Sequence, residues 1–178
     1  MVLAQAQVLP TAADSAIVPE KVRAGIDVLI NGEHFRHTGD PDMPLLWYLR
    51  DVLRLTGTKV AGERPGTGAD LVLLADKATP AGKVTIKELD GRAVTTVEGL
   101  AANDGTLHPL QQAFIDEDAI GCGYCTPGWL IAALALLRRK PQPTDDDIDQ
   151  LPNVCRCGCQ TRVRSAIKRA AAGKANQV

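Results

Sequence analysis

The sequence predicts an α+β protein in which a domain built on a mixed sheet is followed by an all-helical domain. Apolar and polar residues alternate along Val22–Asn31, which is the period-two pattern of a half-buried strand. From residue 107 onward apolar residues recur instead at helical spacing. The second half also carries two closely spaced pairs of cysteines, Cys122/Cys125 and Cys155/Cys157. The change of period predicts a domain boundary near residues 98–103.

The first half is expected to contain the strands and one helix. The strand Val22–Asn31 runs into Asn31-Gly32, a dipeptide typical of a two-residue hairpin turn, and Glu33–Thr38 is predicted as the return strand. Pro44 is expected to open a helix, because the first turn does not need the N–H that proline lacks. One face of this helix is predicted to be apolar, with Leu45, Leu46, Leu49, Val52 and Leu53 on it. Further strands are predicted at Leu71–Ala75, at Lys83–Leu89 and, after the turn Asp90-Gly91, at Ala93–Val97.

The second half is predicted to be helical throughout. Helices are expected at Leu107–Asp118, at Pro127–Lys140, from Asp145 to Leu151 behind the N-cap residue Thr144, and at Gln160–Ala172 before Gly173. Both cysteine pairs therefore fall at helix N-termini or in the loops just before them. Backbone N–H groups at such a position lack helical partners and can donate hydrogen bonds to sulfur.

Bulk properties exclude several classes of protein. The 178 residues carry a net charge of −1, which gives no reason to expect binding to nucleic acid or to an anionic membrane surface. The longest apolar run, Trp129–Leu137, leads straight into Arg138 and is too short to span a membrane. Residues 1–20 are expected to form a flexible N-terminal arm without the features of a signal peptide. The expected location is the cytoplasm, or the periplasm by co-export with a partner that carries a signal.

Four cysteines in two tight pairs point to a metal centre. Cys122-x-x-Cys125 and Cys155-x-Cys157 each bring two thiolates close enough to share one centre, and four thiolates bind either an iron–sulfur cluster or a structural zinc. Spacing alone leaves these two alternatives open. A disulfide framework is the weaker interpretation, since the total of five cysteines is odd. A thiol–disulfide oxidoreductase would need a βαβ context that Cys122 and Cys125 lack. The fifth cysteine, Cys159, is either an alternative ligand or a small buried thiol.

Six segments, in order along the chain, carry a resemblance to a known family. They are Pro44-Leu-Leu-Trp-Tyr-Leu-Arg-Asp51, Leu55-Thr-Gly-Thr-Lys59, Thr96-Val-Glu-Gly-Leu100, Leu107-His-Pro-Leu-Gln-Gln-Ala-Phe114, Cys122-Gly-Tyr-Cys-Thr-Pro-Gly128 and Asn153-Val-Cys-Arg-Cys-Gly158. Together they resemble the small iron–sulfur subunit of the molybdenum hydroxylases (the xanthine oxidase family), in particular the stand-alone subunits of isoquinoline-oxidoreductase or aldehyde-dehydrogenase type. The resemblance extends over nearly everything from Val22 to the last helix.

The resemblance implies the architecture more closely. Residues 21–98 would form a β-grasp, plant-ferredoxin-like domain, and residues 99–178 would form an all-α four-helix bundle. In the family each of these domains normally holds one [2Fe–2S] cluster. The resemblance identifies Cys122, Cys125, Cys155 and Cys157 as the ligands of the cluster in the helical domain.

The chain departs from the family pattern in the loop Val60–Asp70. Where the family has four cysteine ligands for the first cluster, this sequence has Gly62, Thr67, Asp70 and, at about the fourth position, Gly82. Asp70 is a conceivable oxygen ligand, but one carboxylate does not make a site for a sulfur cluster. The N-terminal domain is therefore expected to keep its fold without a cluster, and Pro65 is expected to stiffen its loop.

The resemblance also implies a function and its partners. The expected function is electron transfer from a molybdopterin cofactor, in its cytosine dinucleotide form, that a separate large subunit holds for oxidation or hydroxylation of aldehydes or N-heterocycles. Electrons would enter the single [2Fe–2S] cluster beside Cys157 and leave to a further acceptor, for which a cytochrome c or another acceptor subunit is the candidate partner. The family commonly has Gln at the position of Gly121, so a contact with the pterin is altered here. The alternative from another class is a zinc-stabilised binding or structural module that uses the same four cysteines.

Overall fold

The computed structural model describes residues 25–62 and 67–173 of the chain. The arm expected over residues 1–20, the first residues of the predicted strand Val22–Asn31, and Pro65 lie outside the described residues.

Five strands form one mixed sheet. They are β1 (Ile26–Ile30), β2 (Glu33–His37), β3 (Leu71–Leu74), β4 (Lys77–Pro80) and β5 (Ala93–Thr95), in the spatial order β2-β1-β5-β3-β4. The neighbours β1 and β5 run parallel, and the other three pairs are antiparallel. The predicted hairpin is confirmed: Asn31 and Gly32 have φ angles of 52° and 82°, the left-handed values that a type I′ turn requires at both central positions.

One strand prediction in the first half is wrong, and one strand of the sheet was missed. Residues Lys83–Leu89 do not form a strand: they begin at the end of one short 3₁₀ helix, Ala81–Lys83, and run through a second, Ile86–Leu89. The second of these begins with a capping box, in which Glu88 accepts hydrogen bonds from the backbone N–H and the hydroxyl of Thr85, both at 2.7 Å. This local pairing favours a helical turn over the extended strand that apolar alternation predicted. Strand β4, just before it, was not predicted.

The helix after Pro44 forms, but with an altered period. Helix α1 (Leu45–Trp47) continues as a π-helical segment, Tyr48–Val52, in which the N–H of Leu53 donates to the carbonyl of Tyr48 at 3.0 Å. This i→i+5 turn rotates the following residues relative to an α-helix. Val52 is consequently 52% exposed and does not lie on the buried face that the sequence predicted.

The helical half follows its prediction closely. Its helices are α2 (Pro109–Asp116), α3 (Thr126–Arg139), α4 (Asp145–Asp149) and α5 (Gln160–Ala172). Thr144 caps α4 as expected, since its hydroxyl accepts a hydrogen bond from the N–H of Asp147 at 3.3 Å. Within the described residues, no helix combines the length and the apolarity needed to cross a membrane.

Two apolar cores flank the sheet. One lies between the sheet and the segment after Pro44, where Val72, Leu74 and other strand residues pack with Leu45 and Leu49. Because side chains alternate along a strand, Leu71 and Leu73 point to the opposite face and join the core of helices α2 to α5. Strand β3 is thus buried on both faces and fixes the helical half against the sheet.

Candidate metal centre

The four predicted ligand residues lie at the start of two long helices. Cys125 is the N-cap residue of α3, and Cys122 lies in the loop before it. Cys155 and Cys157 lie in the loop that leads to α5. Each loop turns through a glycine with positive φ, namely Gly123 (79°) and Gly158 (75°), so each can fold back tightly on its cysteines.

The structure brings the four sulfurs together in two pairs, each with one member from each loop. The side chain of Cys122 contacts that of Cys157, and the side chain of Cys125 contacts that of Cys155. In the part of the chain that is described, no three His, Cys, Asp or Glu side chains converge so as to hold one metal ion. Two pairs of thiolates match a centre in which two irons share four cysteine ligands. The sulfurs therefore fit a [2Fe–2S] cluster better than one tetrahedral zinc ion.

Backbone N–H groups point at the sulfurs. The N–H of Tyr124 donates to the sulfur of Cys122, and this bond, followed by the contact with Cys157, lowers the pKa of Cys122. Burial by itself raises the pKa of Cys155, but the N–H groups of Cys159 and Cys157 donate to its sulfur, and the net pKa is lowered. Such donors stabilise the negatively charged thiolate that a metal requires.

The partner sulfur in each pair holds its proton more tightly. Burial, followed by the hydrogen bond with Cys155, raises the pKa of Cys125 to about 12. For Cys157 the N–H of Cys122 acts to lower the pKa, but the contact with the Cys122 sulfur and desolvation outweigh it, and the net pKa is raised. In each pair the pKa of one thiol is thus lowered and that of the other is raised. Metal binding, which requires both thiolates, would release the protons that the pair still holds.

The site is open on one side. Cys122 and Cys157 are exposed, whereas Cys155 is buried and Cys125 is partly buried. Three apolar residues within or next to the two cysteine motifs are exposed to solvent. The exposed fraction is 41% for Ile120, 46% for Tyr124 and 53% for Val154. An exposed apolar surface beside a metal centre is typical of a contact with another protein chain.

Gly121 has no room for a side chain. A Cβ atom at this position would lie 2.8 Å from the Cβ of Cys157 and 3.1 Å from the sulfur of Cys159. A larger residue would therefore have to move the loop that carries Cys157. This close approach gives a local reason for glycine at a position where the resemblance led us to expect Gln.

The four positions predicted to have lost their cysteines are also located. Gly62, Asp70 and Gly82 line one cavity of about 440 Å³, beside Trp47 and Lys83. Asp70 is buried, and its carboxylate accepts a hydrogen bond from the N–H of Gly82 at 3.4 Å. Thr67 does not line this cavity but binds the helical half through its carbonyl, which accepts from the N–H of Val154 at 3.3 Å. These residues offer a single carboxylate and no thiolate, so they do not fit a [2Fe–2S] cluster.

Sequence reasoning missed the residues that connect this loop to the cysteine site. The hydroxyl of Tyr124 donates to the carbonyl of Val60 at 2.7 Å, and the amide of Asn153 donates to the carbonyl of Gly68 at 3.0 Å. Both residues stand within or beside the cysteine motifs. Their place in those motifs is visible in the sequence, but nothing in the sequence indicated which part of the chain they would contact.

Residues 96–168 match the family model of the [2Fe-2S] binding domain. The nicotinate dehydrogenase of Pseudomonas putida contains a subunit that is 39% identical over 148 residues, which cover 82% of this chain and 94% of that protein. The alpha subunit of isoquinoline 1-oxidoreductase from Brevundimonas diminuta is 39% identical over 149 residues, with 82% and 97% covered.

Solved structures show the same relationship. Quinoline 2-oxidoreductase from Pseudomonas putida 86 superposes with a TM-score of 0.73 at 30% identity, over 84% of this chain and 96% of that one. The aldehyde oxidoreductase of Desulfovibrio desulfuricans gives a TM-score of 0.76 at 35% identity, over 83% of this chain but only 17% of that much longer one. The relatives from Pseudomonas putida and Brevundimonas diminuta are thus subunits of oxidoreductases, and the Desulfovibrio enzyme carries a matching region within one longer chain. The chain therefore belongs to the [2Fe–2S] small subunits of the molybdenum hydroxylase family.

Proposed function

We propose that this chain is the electron-transfer subunit of a heteromeric molybdenum hydroxylase and that it holds one [2Fe–2S] cluster. Its ligands would be Cys122, Cys125, Cys155 and Cys157. The observation that carries the proposal is the arrangement of the four sulfurs in two pairs, with backbone N–H groups directed at them. The reaction itself, oxidation or hydroxylation of an aldehyde or an N-heterocycle, would occur in the partner subunit.

When bound, the cluster would supply a one-electron carrier. The residues of this chain would hold it, offset its negative charge and control its exposure. The N–H groups of Tyr124, Cys157 and Cys159 supply partial positive charge at the sulfurs. Burial of Cys155 keeps water from the inner side, while the exposed Cys157 marks the side on which we propose electrons enter.

The proposed partner on this exposed side is the large subunit that binds molybdopterin, which we propose to be the cytosine dinucleotide form. The exposed apolar residues Ile120, Tyr124 and Val154 suit a protein contact there. The other proposed partner is an electron acceptor, for which a cytochrome c or another acceptor subunit is suitable.

We further propose a two-domain organisation with boundaries at residues 21–98 and 99–178. The sheet order β2-β1-β5-β3-β4, with a helical segment on one face, supports a β-grasp domain. The packing of α2, α3 and α5 around a shared core supports a four-helix bundle in the second domain. The first domain would keep its fold without a cluster, because Gly62, Thr67, Asp70 and Gly82 provide no thiolate.

The proposal is tested by measuring iron and acid-labile sulfide per small subunit in the purified complex. Paramagnetic resonance spectra of the reduced complex then show how many clusters are present. We expect about two irons and two sulfides per chain and one cluster signal, as the cofactor itself requires. The matched variants are Cys155→Ser, which should lose the signal, and His34→Ser, a change of an exposed residue in β2 that should keep it.

The other outcomes are equally definite. About four irons and four sulfides would mean that the loop Val60–Asp70 binds a second cluster, and the one-cluster proposal would be wrong. A colourless protein with zinc and no sulfide would establish the alternative, a zinc-stabilised module, because zinc is d¹⁰ and has no visible absorption of this kind.

A further inference from the structure

The fifth cysteine occupies a defined place next to the proposed cluster. Cys159 is the N-cap residue of α5, only 2% of it is exposed, and it belongs to the core of the helical half. It is therefore not a surface thiol. Its role beside a cluster rests on the proposed function, because that cluster is the one that the other four cysteines would hold.

Two donors connect Cys159 to the sulfur of Cys155. Its backbone N–H donates to that sulfur, and its thiol makes a second, side-chain hydrogen bond to the same atom. The first bond follows from the position of Cys159 at a helix N-terminus, where N–H groups have no helical acceptor. The second needs a side chain that carries a proton and reaches inward.

A cation lies on the other side of the Cys159 thiol. Nη2 of Arg162, one turn further along α5, donates to the sulfur of Cys159 at 3.5 Å. Arg162 is itself held in place by an ion pair with Asp118, in the loop after α2. A continuous chain of contacts thus runs from Asp118 through Arg162 and Cys159 to Cys155.

The same contacts argue against Cys159 as a ligand. The four other cysteines already form two complete pairs, and Cys159 is not needed for either. Its sulfur accepts from a guanidinium, and its thiol makes a side-chain hydrogen bond with Cys155. A side chain that donates to a ligand sulfur from outside the ligand set is the usual way in which a protein adjusts a metal centre.

We propose that Cys159 and Arg162 together raise the reduction potential of the cluster by donating, in series, toward the sulfur of Cys155. Reduction adds negative charge to the cluster and its sulfurs. A hydrogen bond to one of these sulfurs stabilises the reduced form more than the oxidised form, and this raises the potential. The guanidinium strengthens the effect, since it polarises the thiol that donates.

The test is a redox titration of the intact complex, followed by paramagnetic resonance, on wild type, Cys159→Ala, Cys159→Ser and Arg162→Gln. For Cys159→Ala and Arg162→Gln we expect the ratio of reduced to oxidised cluster at a fixed potential to fall at least threefold. This is about 28 mV for a one-electron couple, in which tenfold is 59 mV. Cys159→Ser should keep most of the wild-type potential, because serine retains a donor.

The matched control is Arg164→Gln. Arg164 lies on the same helix and is paired with Asp149, so the variant removes the same charge from a side chain that makes no contact with a cysteine sulfur in the described chain. Its potential should stay close to that of wild type. Iron and sulfide are measured on every variant, because iron content separates the possible roles of Cys159.

Each result decides the question. Iron loss in both Cys159 variants, with iron kept in Arg162→Gln, would show that Cys159 is a ligand and would overturn the inference. Unchanged potentials with full iron in Cys159→Ala and Arg162→Gln would show a purely structural role and would also overturn it. Should Cys159→Ala fail to fold, Arg162→Gln decides alone, since Arg162 is about half exposed. Absence of a cluster in wild type would instead refute the proposed function.

Discussion

At Gly128 the backbones of the two halves of the chain lie in close contact. This residue lies in the first turn of α3, and a Cβ atom there would be only 1.8 Å from the carbonyl oxygen of Gly68 and 3.0 Å from the Cα of Ala69. Both neighbours are backbone, so neither can rotate away. Gly68 has a positive φ of 57°, and its carbonyl already accepts a hydrogen bond from the amide of Asn153. The backbone of the loop thus lies directly on the helix.

For this reason Gly128→Ala should destabilise the protein although alanine favours helices. In a helix without the contact, the change would stabilise by up to about 1 kcal/mol. Here the added methyl group must displace backbone, and we expect a loss of about 1–3 kcal/mol, as for other overpacked sites. Denaturant unfolding measures the difference.

The control for this prediction is Gly173→Ala at the end of α5. A Cβ atom at Gly173 would meet only ordinary contacts, at 3.6 Å and 3.8 Å, and its backbone has no positive φ. This variant should be neutral or slightly stabilising. Equal effects of the two substitutions would contradict the close approach of Gly68 to α3.

For single residues, the sequence predicts the kind of site better than it predicts which side chains contact each other. The spacing of Cys122, Cys125, Cys155 and Cys157 indicated that they form one site, because each pair must lie close together whatever the fold. That Cys122 lies against Cys157, rather than against Cys125, depends on how the two loops meet in space. The Cys159–Arg162 contact depends on the same docking of α5, so spacing alone left the role of Cys159 open.

Among the secondary structure elements, α4 shows how local interactions define the start of a helix. Its N-cap Thr144 and the residue three positions later, Asp147, form a reciprocal capping box. Asp147 accepts from the backbone N–H of Thr144 and from Lys140, each at 2.6 Å. These contacts, led by the hydrogen bond with Lys140, hold the pKa of Asp147 well below its usual value.

A group whose pKa is lower in the folded state stabilises the fold above its unfolded pKa, near 3.9 for Asp, and loses that effect as the pH falls. We therefore expect Asp147→Asn to be less stable than wild type at pH 7. The difference should shrink progressively as the pH is lowered below about 4. Thermal unfolding of both proteins at several pH values measures it, and effects of acid on the cysteines cancel because both proteins experience them.

Asp146→Asn is the matched control, since Asp146 is an exposed neighbour on the same helix whose carboxylate makes no ion pair within the described residues. Its stability should follow that of wild type at every pH. A pH-independent difference between wild type and Asp147→Asn would mean that the capping box, and not the charge of Asp147, accounts for the loss.

Elements with a long periodic pattern or a clear capping residue were predicted almost residue by residue. Short segments without such signals were predicted less well. Helix α5 was predicted at Gln160–Ala172, and it lies there, because its helical period continues until Gly173. The segment Lys83–Leu89 has an alternating pattern, but Val84, Ile86 and Leu89 are buried by the packing of 3₁₀ turns under the sheet. Short apolar patterns of this kind fit both a strand and a turn, and tertiary packing decides between them.

In the whole molecule, the N-terminal half has a core that contains no cysteine. Its buried residues are aliphatic apart from Tyr48, and they lie between one face of the sheet and the segment after Pro44. The helical half is different, because its core includes Cys155 and Cys159 and its two cysteine loops depend on their contacts with each other. Strand β3 connects the two cores through its opposite faces.

This division predicts how the protein responds when the iron of the proposed cluster is removed. A metal that binds the folded but not the unfolded state stabilises the residues that hold it. Chelation should therefore destabilise the loops 120–125 and 153–159. In the described part of the chain the sheet contains none of the proposed cluster ligands, and its aliphatic core should hold it together. We expect hydrogen exchange of the intact small subunit to accelerate in the two loops and to stay slow in β1, β3 and β5. Cys125→Ser, which should lack the cluster without chelation, should give the same pattern. Faster exchange in the strands as well, in both samples, would show that the first domain depends on a metal, and the proposal that it keeps its fold without a cluster would then fail.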